Sequence, residues 1–287
     1  MKAVILCGGQ GTRLREHTDL RPKPMVEIGG RPILWHIMKI YANYGVRDFV
    51  LCLGYKAAVI KDYFLNYQAM MTDFTISLND TGNIQLHDTM NEDWKVTLAD
   101  TGEETMTGAR VSRASCYLAD DDTFFVTYGD GVSDIEITAL LSFHRSHGKL
   151  ATITGVRPPS RFGELQCDGK QVHSFSEKPV SGNGLINGGY FCFQKDFLRY
   201  LSDDKSCVLE RSPLESCARD GQLHVFEHQG FWQCMDTIRD WTSLEAQWQS
   251  GCAPWKTWDR ERLKFNPKES LNGYKPDQED TKNSNAA

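Results

Sequence analysis

At 287 residues with a formal charge of −6, the chain is long enough for one large α/β domain with additions, or for two small ones. Its apolar fraction of 40% supports a sizeable core. Its mildly acidic balance argues against nucleic acid or a membrane surface as partner, so an anionic ligand must be met by local basic groups.

Lys2 to Cys7 reads as a short buried strand, too brief for a signal-peptide core. It runs into Gly8-Gly9-Gln10-Gly11-Thr12-Arg13-Leu14, and a second basic cluster, Arg21-Pro22-Lys23-Pro24, follows. A strand ending in a glycine-rich turn lets backbone N–H groups approach a phosphate chain, because no Cβ intervenes. Arg13 and Lys23 then supply charge, one as a planar fork and the other as a point charge. The segment suits a nucleoside triphosphate, the alternative being a tight surface turn. A Walker motif is excluded because no Gly-Lys-Ser/Thr ends the loop. The dinucleotide fingerprint is excluded because Leu14 stands where its third glycine belongs.

Further along, Ile33 to Tyr44 carries apolar residues at helical spacing, Asp48 to Leu53 is a strand, and Lys56 to Tyr67 is again helical. Phe74 to Leu78 and Lys95 to Ala99 are strands around a polar stretch, Asn79 to Asp93, expected as a hairpin or a loop over the site. Ala109 to Tyr117 is a helix and Thr123 to Tyr128 a buried strand. Asp134 to His147 is a helix with Asp134 as its N-cap, and Lys149 to Val156 returns to strand. Such alternation predicts a Rossmann-like α/β fold: a mixed, mostly parallel sheet flanked by helices. The shorter strands from Arg161 to Phe193 predict a small inserted β subdomain. Helices are expected over 210–219 and 240–250. We expect one domain over 1–258, with a sugar-binding β-rich part at about 157–235, and a flexible charged tail over 259–287. Before the tail, Trp255 and Trp258 are expected to dock on the domain or on a neighbouring subunit.

Two acids suit a metal. Asp130 sits between Gly129 and Gly131 after a strand, where ligands of doubly wound sheets bind; a turn aspartate is the alternative. Asp236 follows Gly230-Phe231-Trp232-Gln233-Cys234-Met235, and alone it would pass as a helix N-cap. Mg²⁺ is commonly held by one or two carboxylates plus phosphate oxygens, which the pair would satisfy. A third cluster, Glu177-Lys178-Pro179 with Asn187-Gly188-Gly189, offers hydrogen bonds to sugar hydroxyls from Glu177 and Asn187, a cation for a sugar phosphate in Lys178, and close approach at Gly188. A charged turn plus a hairpin glycine is the alternative. The nine cysteines are odd in number, form no Cys-x-x-Cys pair and sit partly in apolar runs, so reduced thiols in a cytoplasmic protein are expected. No Gly-x-Ser-x-Gly elbow supports serine hydrolysis, no histidine spacing suggests a metal centre, and no run of about 18 apolar residues predicts a transmembrane helix.

The Gly8-to-Leu14 loop, Lys23-Pro24, Tyr128-Gly129-Asp130-Gly131, Glu177-Lys178-Pro179 and Asn187-Gly188-Gly189, in that order, resemble the sugar-1-phosphate nucleotidylyltransferases. Pro24 to Gly30, Ile33 to Met38, Thr107 to Arg110, Gly230 to Gln233 and Ala253 to Trp258 narrow the likeness to the branch that joins CTP to glucose 1-phosphate. The resemblance implies CTP binding through Leu6, Gly8, Gly9, Gln10, Gly11, Thr12, Arg13 and Lys23, and cytidine-side contacts near Thr105, Arg110 and Gly129. It implies Mg²⁺ on Asp130 and Asp236, sugar-phosphate contacts at Glu177, Lys178 and Asn187, and a homo-oligomer. Cys7 stands where the family usually has Ala, and Ala109 where Gly is common.

The chemistry so implied is in-line attack of a sugar phosphate on the α-phosphorus of CTP, with Arg13, Lys23 and Asp130 as the catalytic residues. Two alternatives stand beside it. The first is the same chemistry with UTP, dTTP or another sugar 1-phosphate, where Arg110 is the residue to watch. The second is a non-catalytic nucleotide-sugar sensor, for which keeping both metal acids and both cations has no purpose.

Overall fold

The computed structural model describes residues 1–11, 14, 18–87, 92–157, 164–168, 170–176 and 184–259. In chain order, β1 (Lys2–Leu6) is followed by the short strands β2 (Glu27–Ile28) and β3 (Arg31–Pro32), α1 (Ile33–Asn43) and β4 (Asp48–Leu53). Next come α2 (Ala57–Leu65), α3 (Tyr67–Met71), the hairpin β5 (Phe74–Ser77) and β6 (Asp80–Leu86), β7 (Lys95–Asp100) and α4 (Thr107–Ala114). Then follow β8 (Thr123–Tyr128), β9 (Gly131–Ser133), α5 (Ile137–His147), β10 (Ala151–Val156), and the hairpin β11 (Glu164–Asp168) and β12 (Gln171–Ser176). The chain continues through β13 (Ile186–Gln194), α6 (Ser212–Arg219), β14 (Leu223–His228), β15 (Trp232–Cys234) and α7 (Ile238–Gln249).

Seven strands form the central sheet in the order β14-β10-β13-β8-β1-β4-β7. All neighbours run parallel except β13, which is antiparallel to both β8 and β10. The mixed, mostly parallel sheet is therefore as the strand–helix alternation predicts. Strand β13, expected within the inserted β-rich part, lies instead inside this sheet, because its run Gly189–Phe193 is buried on both faces. Strands β11 and β12 form a separate antiparallel hairpin.

Successive residues of β1 serve two cores. Ala3 and Ile5 pack with α1 and α5 through Ile37, Tyr41 and Leu140. Val4 and Leu6 pack on the other face with α4 and α6 through Val111, Ala114, Leu214 and Cys217. Trp255 is fully buried on the first face, stacked on Phe231 and edge-on to His36. It thus docks on its own domain, and Trp258 packs edge-on against Trp35.

Local boundaries moved where caps and tertiary bonds decided them. The helix expected from Asp134 starts at Ile137, and Asp134 does not cap it. The Asp134 N–H donates to the Phe231 carbonyl (3.1 Å) and its carboxylate faces His228 Nε2 at 3.1 Å, so the β9–β15 pairing has claimed it. The helix over 56–67 breaks at Asn66, whose side chain bonds back to the Asp62 carbonyl at 3.0 Å. The polar stretch after β5 returns as β6, and its described residues do not line the cleft discussed below. Among the described residues no helix is long and apolar enough to cross a membrane. Residues 260–287, expected as a flexible tail, lie outside the described residues.

Candidate active site

Strands β1 and β8 are neighbours with Leu6 opposite Tyr128, so the glycine loop and Gly129-Asp130 leave the sheet side by side at the carboxyl edge. Strand order reverses here, with β4 on one side of β1 and β8 on the other. This is the switch point where doubly wound sheets bind ligands. A cleft of about 810 Å³ opens there. It is lined by Leu6, Gly8, Gly9, Gln10, Gly11, Lys23, Thr105, Arg110, Gly129, Asp130, Asn187 and Asp236, twelve of the residues expected from sequence. Gly188 is adjacent but does not line the cleft; its carbonyl accepts from Trp232 Nε1 at 2.7 Å. Thr12, Arg13, Glu177 and Lys178 lie outside the described residues.

The two acids meet through backbone pairing. In the antiparallel β9–β15 ladder Gly131 stands opposite Cys234, and the Met235 N–H donates to the Asp130 carbonyl at 2.8 Å. Asp236 does not itself cap α7. Thr237 does, in a capping box with Asp240, whose carboxylate also accepts from the Asp236 N–H at 3.1 Å. The Asp236 carboxylate is thereby released to the cleft.

Lys23 completes the arrangement. It sits on a one-turn helix after Pro22, is only 9% exposed, and places Nζ 2.7 Å from Asp130 Oδ2 and 2.5 Å from Asp236 Oδ1. Burial pulls its pKa down, but the two carboxylates outweigh that and hold it above the ordinary lysine value. The ammonium therefore stays charged at neutral pH. Gly129 allows this close assembly, since a Cβ there would meet the Leu6 carbonyl at 2.9 Å and the Pro24 ring at 3.0 Å.

Arg110, expected beside the cytidine, is 4% exposed and spends its guanidinium on the scaffold. It donates to the Leu53 carbonyl (2.8 Å), Thr101 Oγ1 (2.8 Å), the Gly8 carbonyl (3.1 Å) and the Glu103 carbonyl (3.1 Å). A Cβ at Gly8 would lie 2.1 Å from this group, so the first loop glycine makes room for the arginine as well as for a ligand. Sequence reading gave no role to Tyr128, Met106, Thr107, Trp232 or Cys234, which also line the cleft. The position of Tyr128 just before Gly129-Asp130 was the available signal. The Cys234 thiol is no nucleophile at neutral pH, because burial and then the Asp236 and Asp130 charges push it up to about 12.

The sequence profile described as "Nucleotidyl transferase" matches residues 2–243. The chain belongs to the nucleotidyl transferase family. It is 51% identical over 259 residues to the glucose-1-phosphate cytidylyltransferase of Salmonella typhi, a match covering 90% of this chain and all of that one. It is 44% identical over 258 residues to the probable glucose-1-phosphate cytidylyltransferase of Bacillus subtilis (strain 168), again covering 90% of this chain and all of the relative. Among solved structures it is similar to HddC from Yersinia pseudotuberculosis, with a TM-score of 0.62 and 25% identity over 86% of this chain and 99% of that one.

Nucleotidyl transferases generally use a divalent metal. Asp130 and Asp236 fit one: they are hard oxygen donors, and in this structure they already hold a cation, the Lys23 ammonium, between them. Among the described residues no group of three or more His, Cys, Asp or Glu side chains is arranged to hold a metal.

Proposed function

We propose that this chain transfers CMP from CTP to α-D-glucose 1-phosphate, giving CDP-glucose and pyrophosphate, with Mg²⁺ as cofactor, in the cytoplasm and as a homo-oligomer. The observation that carries the reaction type is the Lys23–Asp130–Asp236 triangle at the mouth of a glycine-loop cleft. The likeness to cytidylyltransferases along their full length carries the choice of CTP and glucose 1-phosphate.

The nucleophile needs no strong general base. A phosphate monoester has its second pKa at about 6, so it is mostly a dianion at neutral pH. The barrier is the approach of two anions, roughly −2 on the monoester and roughly −4 on the triphosphate. Catalysis is then positioning plus charge neutralisation. Backbone N–H groups of Gly8 to Gly11 cradle the triphosphate, with Arg13 on the departing β- and γ-phosphates. Lys23 neutralises charge at the α-phosphate, and Lys178 with Asn187 holds the sugar phosphate. Asp130 and Asp236 would hold Mg²⁺, which supplies further charge neutralisation at the reacting phosphates.

The test is pyrophosphate release with Mg²⁺ and glucose 1-phosphate, run in parallel with CTP, UTP, dTTP, ATP and GTP. Release with CTP alone is expected. Release with another nucleotide keeps the chemistry and overturns the base assignment. Silence with all five, from folded protein, overturns the pairing of these substrates.

A further inference from the structure

The side chain of Asn187 does not stand alone at the cleft. Its Oδ1 accepts from the Gly189 N–H at 2.8 Å, and its Nδ2 donates to the Tyr128 hydroxyl at 3.1 Å. The Tyr128 hydroxyl in turn donates to Glu210 Oε1. The second carboxylate oxygen, Oε2, accepts from Thr107 Oγ1 at 2.6 Å, and that oxygen accepts from the Leu209 N–H at 2.9 Å. Thr107 is the first residue of α4, the helix that carries Arg110. Tyr128, Asn187 and Thr107 line the cleft, and Glu210 stands behind them.

This chain of bonds has a direction. A phenol has one hydrogen, and an ionised carboxylate only accepts. Glu210 therefore takes the Tyr128 hydrogen, and the phenol oxygen is left to accept from Asn187. That fixes which end of the amide faces Tyr128. Edge-on packing against Phe191, with ring centroids 5.8 Å apart, locks the phenol ring.

We propose that Glu210 is a positioning residue for the sugar-phosphate half of the cleft: through the Tyr128 hydroxyl it sets the orientation of the Asn187 amide, and through Thr107 it ties that half to the start of α4. The proposal rests on the reading of Asn187 as a sugar-phosphate contact. Without Glu210 the phenol hydrogen is free to turn toward the amide and compete with its Nδ2 donation, so only the Gly189 N–H is left to hold the orientation that Asn187 offers an incoming phosphate or hydroxyl.

The test uses the full chain with Mg²⁺ and reads KM for glucose 1-phosphate and for CTP separately. Glu210→Gln and Tyr128→Phe are each expected to raise KM for glucose 1-phosphate about tenfold, the loss of one oriented hydrogen bond, with KM for CTP within about threefold. Tyr128→Phe deletes only the bridging oxygen and serves if Glu210→Gln folds poorly. Asn187→Ala is expected to raise the same KM, and adding Glu210→Gln to it should change little, since both act through one amide. A full multiplicative effect of Glu210→Gln in the Asn187→Ala background overturns the proposal and leaves Asn187 as a sugar contact. Parallel rises in both KM values with a lowered Tm indicate a merely structural role and overturn it too. An Asn187→Ala enzyme with unchanged KM for glucose 1-phosphate removes the reading of Asn187, and the proposal with it.

Discussion

Lys23 Nζ lies 2.7 Å from Asp130 Oδ2, although 107 residues of sequence separate them. The same nitrogen reaches Asp236, so one ammonium holds two carboxylates that strand pairing has already brought together. Lys23→Ala removes the cation from this triangle and leaves two acids to repel incoming phosphates. The expected result is a fall in kcat on the order of a hundredfold or more, as for loss of one preorganised electrostatic donor. Steady-state kinetics with CTP and glucose 1-phosphate check it, and near-native turnover would remove Lys23 from the reaction.

Asp130→Asn and Asp236→Asn keep the shape of the site and remove one negative charge each. We expect kcat to fall about a hundredfold and the Mg²⁺ needed for half-maximal rate to rise about tenfold or more. A magnesium titration of each variant decides the matter. An unchanged Mg²⁺ dependence would mean that the acid does not hold the ion.

Gly8→Ala places a methyl group 2.1 Å from the Arg110 guanidinium carbon. The arginine is buried with four oxygen partners, so it has little room to yield. A loss of about 1–3 kcal/mol is expected from overpacking, together with a higher KM for CTP. Denaturant unfolding and CTP kinetics measure the two effects. Arg110→Lys should do comparable damage, because a point charge cannot serve four diverging carbonyl and hydroxyl oxygens.

Two fully buried histidines make the fold sensitive to acid. Burial lowers both His36 and His144 to about 4, while an unfolded chain has histidine at about 6.5. Between those values the unfolded state binds more protons, so stability falls as pH drops through 6.5 toward 4 and is retained above 6.5. At pH 5 each histidine contributes a loss of about 2 kcal/mol relative to pH 7. His144→Gln should therefore flatten the Tm–pH curve between pH 5 and 6.5, and an unaltered slope would refute this account.

Trp255→Ala empties a fully buried site between Phe231 and His36. A loss of about 3–5 kcal/mol is expected in equilibrium unfolding.

Much of this molecule is local and was legible in the chain. The Lys2–Leu6 strand, the glycine turn after it and the Ile33–Asn43 helix follow from apolar spacing and glycine, because the forces that set them act between near neighbours in sequence. The order of the motifs pointed to the family, and the alternation of strand and helix to the sheet. Other features depended on partners far away. No local pattern marks β13 as the one reversed strand of the central sheet, since direction is set by which neighbours it pairs with. Asp134 looked like a cap until His228 and Phe231 engaged it. Arg110 was expected beside the base and does line the cleft, but nothing local showed that four scaffold oxygens from Gly8, Leu53, Thr101 and Glu103 would converge on it. The residue types and their order thus determined the kind of site. Only the folded chain decided which charges meet, because hydrogen bonds and ion pairs act over a few ångströms of space, irrespective of separation in sequence.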